Sequence, residues 1–247
     1  NIRGHDVFIV QPTNPPAENI MELLLILDAV RRASAARTTC VMPYYGYSRQ
    51  DRKDQPRVAI GAKLMANLIV TAGADRVLGI DFHQHALQGF FDIPVDHLYA
   101  APVFVSHYRK KQLKDLVVVA PDVGSAKMAR GFAKRLNGTF AIIDKRRPQP
   151  NVAEVLNVVG EVEGRDCLIP DDMIDTAGTV TEAARALEGL GAKDIHGCGT
   201  HAQVAGPGAG RRRNAPVREG GGTGPGAEPG AARGPQSRSR AGGEVRW

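Results

Sequence analysis

Residues 168–181, LIPDDMIDTAGTVT, decide the predicted fold. The apolar run 167–169 just before the acidic residues has the composition of the end of a buried strand. The adjacent carboxylates Asp171 and Asp172 follow it, and then a small, hydroxyl-rich turn over 175–179. Thr179 and Glu182 have the spacing of a capping box, which predicts that a helix begins there. A strand, an acidic pair, a turn and a helix in direct succession are typical of an α/β protein.

The same stretch predicts a sugar-phosphate site. Backbone N–H groups at a helix start, together with threonine hydroxyls, suit a phosphate. Ionised carboxylates only accept hydrogen bonds, so an acidic pair suits two vicinal ribose hydroxyls. The alternative is a strand that merely ends in a polar loop. The complete string is more specific than a lone glycine turn, and it favours the sugar-phosphate site.

Strands and helices alternate along the first 202 residues. Strands are predicted over 7–10, 39–42, 76–80, 116–120, 139–143, 155–162, 167–169 and 194–198. Helices are predicted over 17–35 (capped by Asn14), 61–72, 103–111, 126–136 and 180–190. This alternation predicts an α/β fold of two successive β/α domains, 1–101 and 102–202, with mainly parallel sheets and helices on both faces.

Residues 203–247 differ in composition from everything before them. They contain twelve Gly, five Pro and eight Arg, but no Leu, Ile or Phe. Such a segment buries too little apolar surface to offset its ordering entropy, so we expect a disordered tail. An arginine- and glycine-rich RNA-binding tail is one interpretation. The abrupt change of composition favours another, a shifted reading frame.

Charge, cysteines and hydropathy exclude several classes of protein. Most of the net charge of +6 lies in the tail, which makes a nucleic-acid partner unlikely for the rest of the chain. Cys40, Cys167 and Cys198 are far apart in apolar surroundings, which predicts buried free thiols and a cytoplasmic protein. No apolar run is long enough to span a bilayer and no signal peptide is recognisable, so we expect no membrane association.

Residues 44–60, YYGYSRQDRKDQPRVAI, have no apolar period and are rich in charge. This predicts a loop. A solvated loop is the simpler interpretation. A mobile loop that closes over a polyphosphate, with Arg49 and Arg52 as charged donors, is the other. The sequence leaves both open.

Polar side chains also follow other predicted strands. Asp81 and His83 come after 76–80, and Asp122 comes after 116–120, at the strand ends where open α/β sheets bind ligands. Mg²⁺ prefers oxygen ligands, which favours Asp81 over His83 as its ligand and leaves His83 to a phosphate. Lys145 and Arg147 follow the strand at 139–143.

Several motifs together resemble the ribose-phosphate diphosphokinase (phosphoribosyl-diphosphate synthetase) family. They are NIRGHDVFIVQ (1–11), MPYYGYSRQDRK (42–53), GIDFHQHALQGFFDIPVD (79–96), APDVGSAKMAR (120–130) and PDDMIDTAGT (170–179). YSRQDRK and GFFDIPVD are typical of this family rather than of phosphoribosyltransferases at large. The resemblance implies two phosphoribosyltransferase-like domains and a homo-oligomer. It also implies Mg²⁺-dependent transfer of the diphosphoryl group of ATP to the C1 hydroxyl of ribose 5-phosphate, for nucleotide biosynthesis.

The resemblance further implies roles for matching residues. Lys145 and Arg147 would be catalytic, stabilising charge on the transferring group. ATP would be bound by Arg49, Gln50, Asp51 and His83, and the metal by His83 and Asp122. Ribose 5-phosphate would be bound by Asp171, Asp172, Asp175, Thr176, Ala177, Gly178 and Thr179. Asp171 and Asp172 would hold its ribose hydroxyls and the associated metal.

The chain also departs from the family pattern. Family chains begin earlier, with a segment that completes a neighbour's ATP site, and we expect this chain to lack it. Pro170 stands where an aliphatic residue is usual, and His85 where a small one is. A non-catalytic regulatory relative, or an inactive fragment, is therefore the alternative to an active enzyme. The retained motif residues favour the enzyme.

Overall fold

The computed structural model describes residues 1–146, 155–174, 178–202, 217 and 219–222. The chain forms two compact units, Asn1–Tyr99 and a second that begins at Ala100. The predicted boundary between residues 101 and 102 falls in the first turn of the helix that opens the second unit.

The first unit is built on a four-stranded parallel sheet with the strands in chain order. Its strands are β1 (Asp6–Val10), β2 (Arg37–Met42), β3 (Arg76–Ile80) and β4 (Val95–Leu98). Helix α1 (Glu18–Arg32) joins β1 to β2, and α2 (Gly61–Ala72) joins β2 to β3. A 3₁₀ helix over His85–Phe90 precedes β4, a strand that the sequence analysis did not predict.

Both helices of the first unit pack on the same face of this sheet. One buried cluster contains Leu27 of α1, Ile69 of α2, and the strand residues Ile9, Cys40 and Val77. Right-handed crossovers between strands added one after another in one direction place every connecting helix on one face. The prediction of helices on both faces is therefore wrong for this unit.

The other face of the sheet is partly open. Phe8 and Val10 of β1 are 62% and 65% exposed, and Leu98 of β4 is 47% exposed.

The second unit contains a six-stranded sheet in the order β10-β9-β8-β5-β6-β7. Its strands are β5 (Val117–Ala120), β6 (Thr139–Arg146), β7 (Val155–Val159), β8 (Asp166–Ile174), β9 (Asp194–Ala202) and β10 (Glu219–Gly222). Only the β6–β7 pair is antiparallel among the described strands. Its helices are α3 (Ala101–Lys111), α4 (Ala126–Leu136) and α5 (Gly178–Gly189).

Helices lie on both faces of this second sheet, as predicted. Leu187 of α5 belongs to the buried cluster that contains Val119 and Ile143. The buried residues of α4 lie outside that cluster, and Phe132 of α4 contacts Phe104 of α3 at 6.5 Å between ring centroids. The chain leaves β5 in one direction across the sheet and β8 in the other, so right-handed crossovers put α4 and α5 on opposite faces.

The start of α1 differs from the prediction. Its N-cap position is Ala17, whose side chain makes no capping hydrogen bond, so Asn14 is not the cap. The Asn14 carbonyl instead accepts a hydrogen bond from the side chain of Asn19 at 2.8 Å. The helix also ends at Arg32 rather than at residue 35, because Ser34 adopts a left-handed conformation (φ 61°) that a helix cannot continue.

Part of the predicted disordered tail is ordered. Glu219–Gly222 pair in parallel with β9, and Val217 is buried in the core of the second unit. A strand without large side chains can still donate and accept backbone hydrogen bonds at a sheet edge, which composition alone does not reveal. The rest of 203–247 lies outside the described residues.

Two further predictions concern the thiols and the membrane. All three cysteines are free and buried, as predicted. Within the described ranges, none of the helices combines the length and the apolar character that a membrane crossing needs.

Candidate active site

The point where the chain reverses its direction across the second sheet lies between β5 and β8. These neighbouring parallel strands pair at Val117 with Cys167 and at Val118 with Leu168. In open α/β sheets a crevice forms beyond the carboxyl ends of two such strands, and ligands bind in it. Asp122 lies two residues after the end of β5, and Asp171 and Asp172 belong to the carboxyl-terminal part of β8. The topology therefore brings three predicted site residues to one edge.

The acidic pair lies within β8 and not after it. β8 continues to Ile174, and Asp171 pairs with Gly199 of β9. The prediction that the strand ends at residue 169 is wrong, because β9 is also longer than predicted and keeps β8 paired past Pro170.

The Asp172 carboxylate raises the affinity of Asp171 for protons. The backbone N–H of Asp172 donates to Oδ1 of Asp171 at 2.9 Å. Burial, and then repulsion by the Asp172 carboxylate, raise the pKa of Asp171 to about 8, and Asp122 adds to the shift. A divalent cation would offset this repulsion, so the residues present fit Mg²⁺ at this edge. The described residues include no group of three or more His, Cys, Asp or Glu arranged to hold a metal by themselves.

A tight turn orients Asp122. Its Oδ1 accepts a hydrogen bond from the backbone N–H of Ser125 at 2.9 Å and from the Ser125 hydroxyl at 3.0 Å. Helix α4 begins at the next residue, Ala126. Asp122 was predicted from the sequence and Ser125 was not, although the D-x-x-S spacing is the signal of such a turn.

The predicted phosphate loop is only partly described. Gly178 and Thr179 are the first two residues of α5. The helix thus begins two residues earlier than predicted, and Thr179 lies in its first turn, so the predicted capping box is wrong. Asp175, Thr176 and Ala177 lie outside the described residues.

The predicted catalytic cations are likewise described only in part. Lys145 lies on β6, where its backbone pairs with Leu156 of β7. Arg147 lies outside the described residues.

In the first unit, residues 43–60 form a loop without regular secondary structure, as predicted. The base of this loop is anchored: Tyr45 is buried, and its hydroxyl donates to the carbonyl of Ala62 at 2.6 Å. The charged residues Arg49 and Arg52 are exposed, and Asp51 is half-buried. The loop therefore presents its charges from a fixed base.

Gln50, which is predicted to bind ATP, also makes structural contacts with the start of α2. Its carbonyl accepts the N–H of Ala62 at 3.2 Å, in the first turn of α2. Its side chain lies so close over Gly61 that a Cβ at position 61 would overlap it.

His83 follows β3, two residues after Asp81 and beside the buried Phe82. The ring of Phe82 lies 5.2 Å from that of Tyr45, so the base of the charged loop and the end of β3 are neighbours. The backbone N–H of Phe82 donates to Nε2 of His97 at 3.1 Å, a contact that the sequence analysis missed. No sequence signal pairs these two residues, because Phe82 follows β3 and His97 lies on β4, 15 residues further along the chain.

The predicted metal ligands His83 and Asp122 belong to different units. Their shared role as metal ligands stays a prediction.

Two family models match this chain. The model of the N-terminal domain of ribose phosphate pyrophosphokinase matches residues 1–73, and the phosphoribosyl transferase domain model matches residues 101–217.

Individual relatives match across both units. The ribose-phosphate pyrophosphokinase of Chlorobaculum tepidum is 56% identical over 208 residues, covering 84% of this chain and 64% of that protein. The enzyme of the same name from Bacillus caldolyticus is 53% identical over 220 residues, covering 89% of this chain and 70% of that protein. The crystal structure of phosphoribosylpyrophosphate synthetase from Mycobacterium smegmatis superposes with a TM-score of 0.83 at 40% identity, covering 91% of this chain and 74% of that one.

Proposed function

This chain belongs to the ribose-phosphate pyrophosphokinase family, and from that premise we propose that it transfers the diphosphoryl group of ATP to the C1 hydroxyl of ribose 5-phosphate. The products are 5-phosphoribosyl 1-diphosphate and AMP. The resemblance found in the sequence motifs is confirmed by these relatives. The chain spans 64 to 70% of the length of the two relatives described above, so the activity of the whole enzyme is a proposal for this chain.

One observation carries the proposal: an acidic pair stands at the switch point between β5 and β8, where parallel sheets bind ligands. Carboxylates there can accept hydrogen bonds from the ribose hydroxyls. The raised pKa of Asp171, caused by burial and by Asp172, is typical of a functional site.

The proposed reaction needs mainly positioning and electrostatic stabilisation. Asp171 and Asp172 would hold the ribose of the acceptor, and residues 175–179 would hold its phosphate at the start of α5. Lys145 and Arg147 would stabilise charge on the transferring group. Arg49, Gln50, Asp51 and His83 would bind ATP.

Mg²⁺ is the proposed cofactor, with His83 and Asp122 as the residues that would bind it. When bound, it would neutralise charge on the phosphates of ATP. Ser125 would keep the Asp122 carboxylate directed, because it donates two hydrogen bonds to the same oxygen. A homo-oligomer and a cytoplasmic location complete the proposal.

The test is AMP release from ATP and Mg²⁺, with and without ribose 5-phosphate. We expect AMP only when ribose 5-phosphate is present. Lys145→Ala should lower kcat about 100-fold or more, since it removes charge stabilisation from the transition state. Lys134→Ala, which removes an exposed lysine of α4, is the matched control and should leave the rate unchanged.

Two results would contradict the proposal. AMP release independent of ribose 5-phosphate would indicate a different acceptor. Absence of turnover, with ribose 5-phosphate still bound, would favour the alternative of an inactive or regulatory relative.

A further inference from the structure

The turn that carries His83 away from β3 begins with a disfavoured backbone conformation. Asp81 has a φ of 43°, in the left-handed region that residues with a side chain rarely adopt. Such a conformation persists only where the surrounding structure holds it, and it occurs often at functional sites. The contacts that hold this turn therefore decide where His83 lies.

Two backbone N–H groups of the turn donate hydrogen bonds to acceptors on β4. The N–H of Asp81 donates to the carbonyl of Leu98 at 2.9 Å. The N–H of Phe82 donates to Nε2 of His97 at 3.1 Å. The second bond is the unusual one, because a side chain takes the place of a backbone carbonyl.

Packing of the Phe82 ring makes this arrangement specific. The ring stacks on the His97 imidazole, with centroids 5.1 Å apart and planes at 20°. Its other neighbours are Tyr45, at 5.2 Å between centroids, and Gly79, where a Cβ would overlap the ring. Glycine at position 79 thus leaves room for the Phe82 ring, on which the His97 imidazole stacks.

The hydrogen bond requires an unprotonated Nε2 on His97. A neutral ring with a free Nε2 carries its proton on Nδ1, which lies 3.3 Å from Nε2 of the Gln88 side chain. The titratable groups that face the ring are His85 and Tyr99, with centroids at 5.3 and 4.6 Å, and Asp81. Burial and the neighbouring His85 lower the pKa of His97, although Asp81 opposes them, and this favours the neutral acceptor form.

We propose that His97 is a positioning residue for nucleotide binding: its Nε2 holds the Phe82 N–H and so fixes the direction in which His83 leaves β3. The inference rests on the proposed function, in which His83 contacts ATP. His97 itself would touch neither substrate.

Two substitutions separate the hydrogen bond from the ring packing. His97→Phe keeps an aromatic ring on Phe82 and removes the acceptor. His97→Gln places an amide oxygen near the position of Nε2 and restores the acceptor. Tyr99→Phe is the matched control, since it removes only the hydroxyl that lies 3.4 Å from Nδ1 of His85 in the same cluster.

The readouts are KM for ATP, KM for ribose 5-phosphate, kcat, and ATP affinity by calorimetry without ribose 5-phosphate. We expect His97→Phe to weaken ATP affinity and raise the KM for ATP about tenfold, the effect of losing one buried hydrogen bond. The KM for ribose 5-phosphate should stay within about twofold of the wild-type value. His97→Gln should recover most of the loss, and Tyr99→Phe should match the wild type.

The outcomes distinguish this inference from the proposed function. Unchanged ATP affinity in His97→Phe overturns the positioning role, and so does an equal loss for both substrates or no recovery in His97→Gln. A wild-type chain that binds ATP but releases no AMP overturns the proposed function alone, and ATP affinity of the variants then decides the positioning role. A wild-type chain that binds no ATP overturns both.

Discussion

At the scale of single residues, Asp171 combines a proposed role in ribose binding with a cost in stability. Its carboxyl group is held beside Asp172 and near Asp122, and burial and these charges raise its pKa to about 8. The unfolded chain binds a proton at this carboxyl only below its ordinary pKa near 3.8. Between those two values the folded state binds more protons than the unfolded state, so stability falls as the pH rises through this window.

The first prediction follows from this fall in stability with rising pH. Asp171→Asn removes the charge, so above pH 8 the variant should be more stable than the wild type by about 1 to 2 kcal/mol, and the difference should vanish near pH 4. Denaturant unfolding between pH 4 and pH 9 measures it. Millimolar Mg²⁺ should raise the Tm of the wild type more than that of the variant, because the cation relieves the same repulsion.

Asp115→Asn is the control for this prediction. Asp115 is exposed and has a left-handed φ of 49°, which asparagine also tolerates. It should show neither effect. A variant at Asp171 that is less stable than the wild type at pH 9 would contradict the argument.

At the scale of elements, β8 shows how pairing overrides a local signal. Pro170 lacks a backbone N–H and so weakens the ladder of a central strand. The strand nevertheless continues to Ile174, because β9 pairs with it from Asp166 onward. The acidic pair is thereby held on a strand rather than on a loop, which restricts its motion.

The second prediction concerns this proline. Pro170→Val should raise the free energy of unfolding by about 1 kcal/mol, the net value of one added hydrogen bond on a strand. Pro102→Val is the matched contrast, since Pro102 lies in the first turn of α3, where proline is favourable, and its loss should not stabilise. Urea unfolding of both variants measures the difference. Equal effects at the two positions would show that Pro170 does not destabilise β8.

At the scale of the whole molecule, each unit of the described part of the chain has a buried core of its own. Leu27 belongs to the core of the first unit and Leu187 to the core of the second, and both are fully buried. No described residue belongs to both clusters. Each core thus stabilises the unit that contains it.

The third prediction is that the two cores can be weakened one at a time. Leu27→Ala and Leu187→Ala should each cost about 2 to 5 kcal/mol through lost burial and a residual cavity. In calorimetry each variant should shift a different thermal transition. If both variants shift the same transition, the two units unfold as one.

Much of the local structure was predictable because its signals are local. Helices 61–72 and 126–136 and strand 76–80 occur where the sequence predicted them. Each is bounded by residues that end regular structure, as Gly73 does with its φ of 120° after α2. The family also followed from the sequence, since its motifs are contiguous strings.

What the sequence alone determined was therefore the α/β class and the family, while the residues of the candidate site stay a prediction. Only the tertiary structure decided that both helices of the first unit share one face, that β8 carries the acidic pair within the strand, and that Glu219–Gly222 add an edge strand. It also decided the hydrogen bond between His97 and Phe82. The physical reason is that each of these depends on a partner distant in the chain, and strand pairing and burial are properties of the assembled sheet rather than of any one segment.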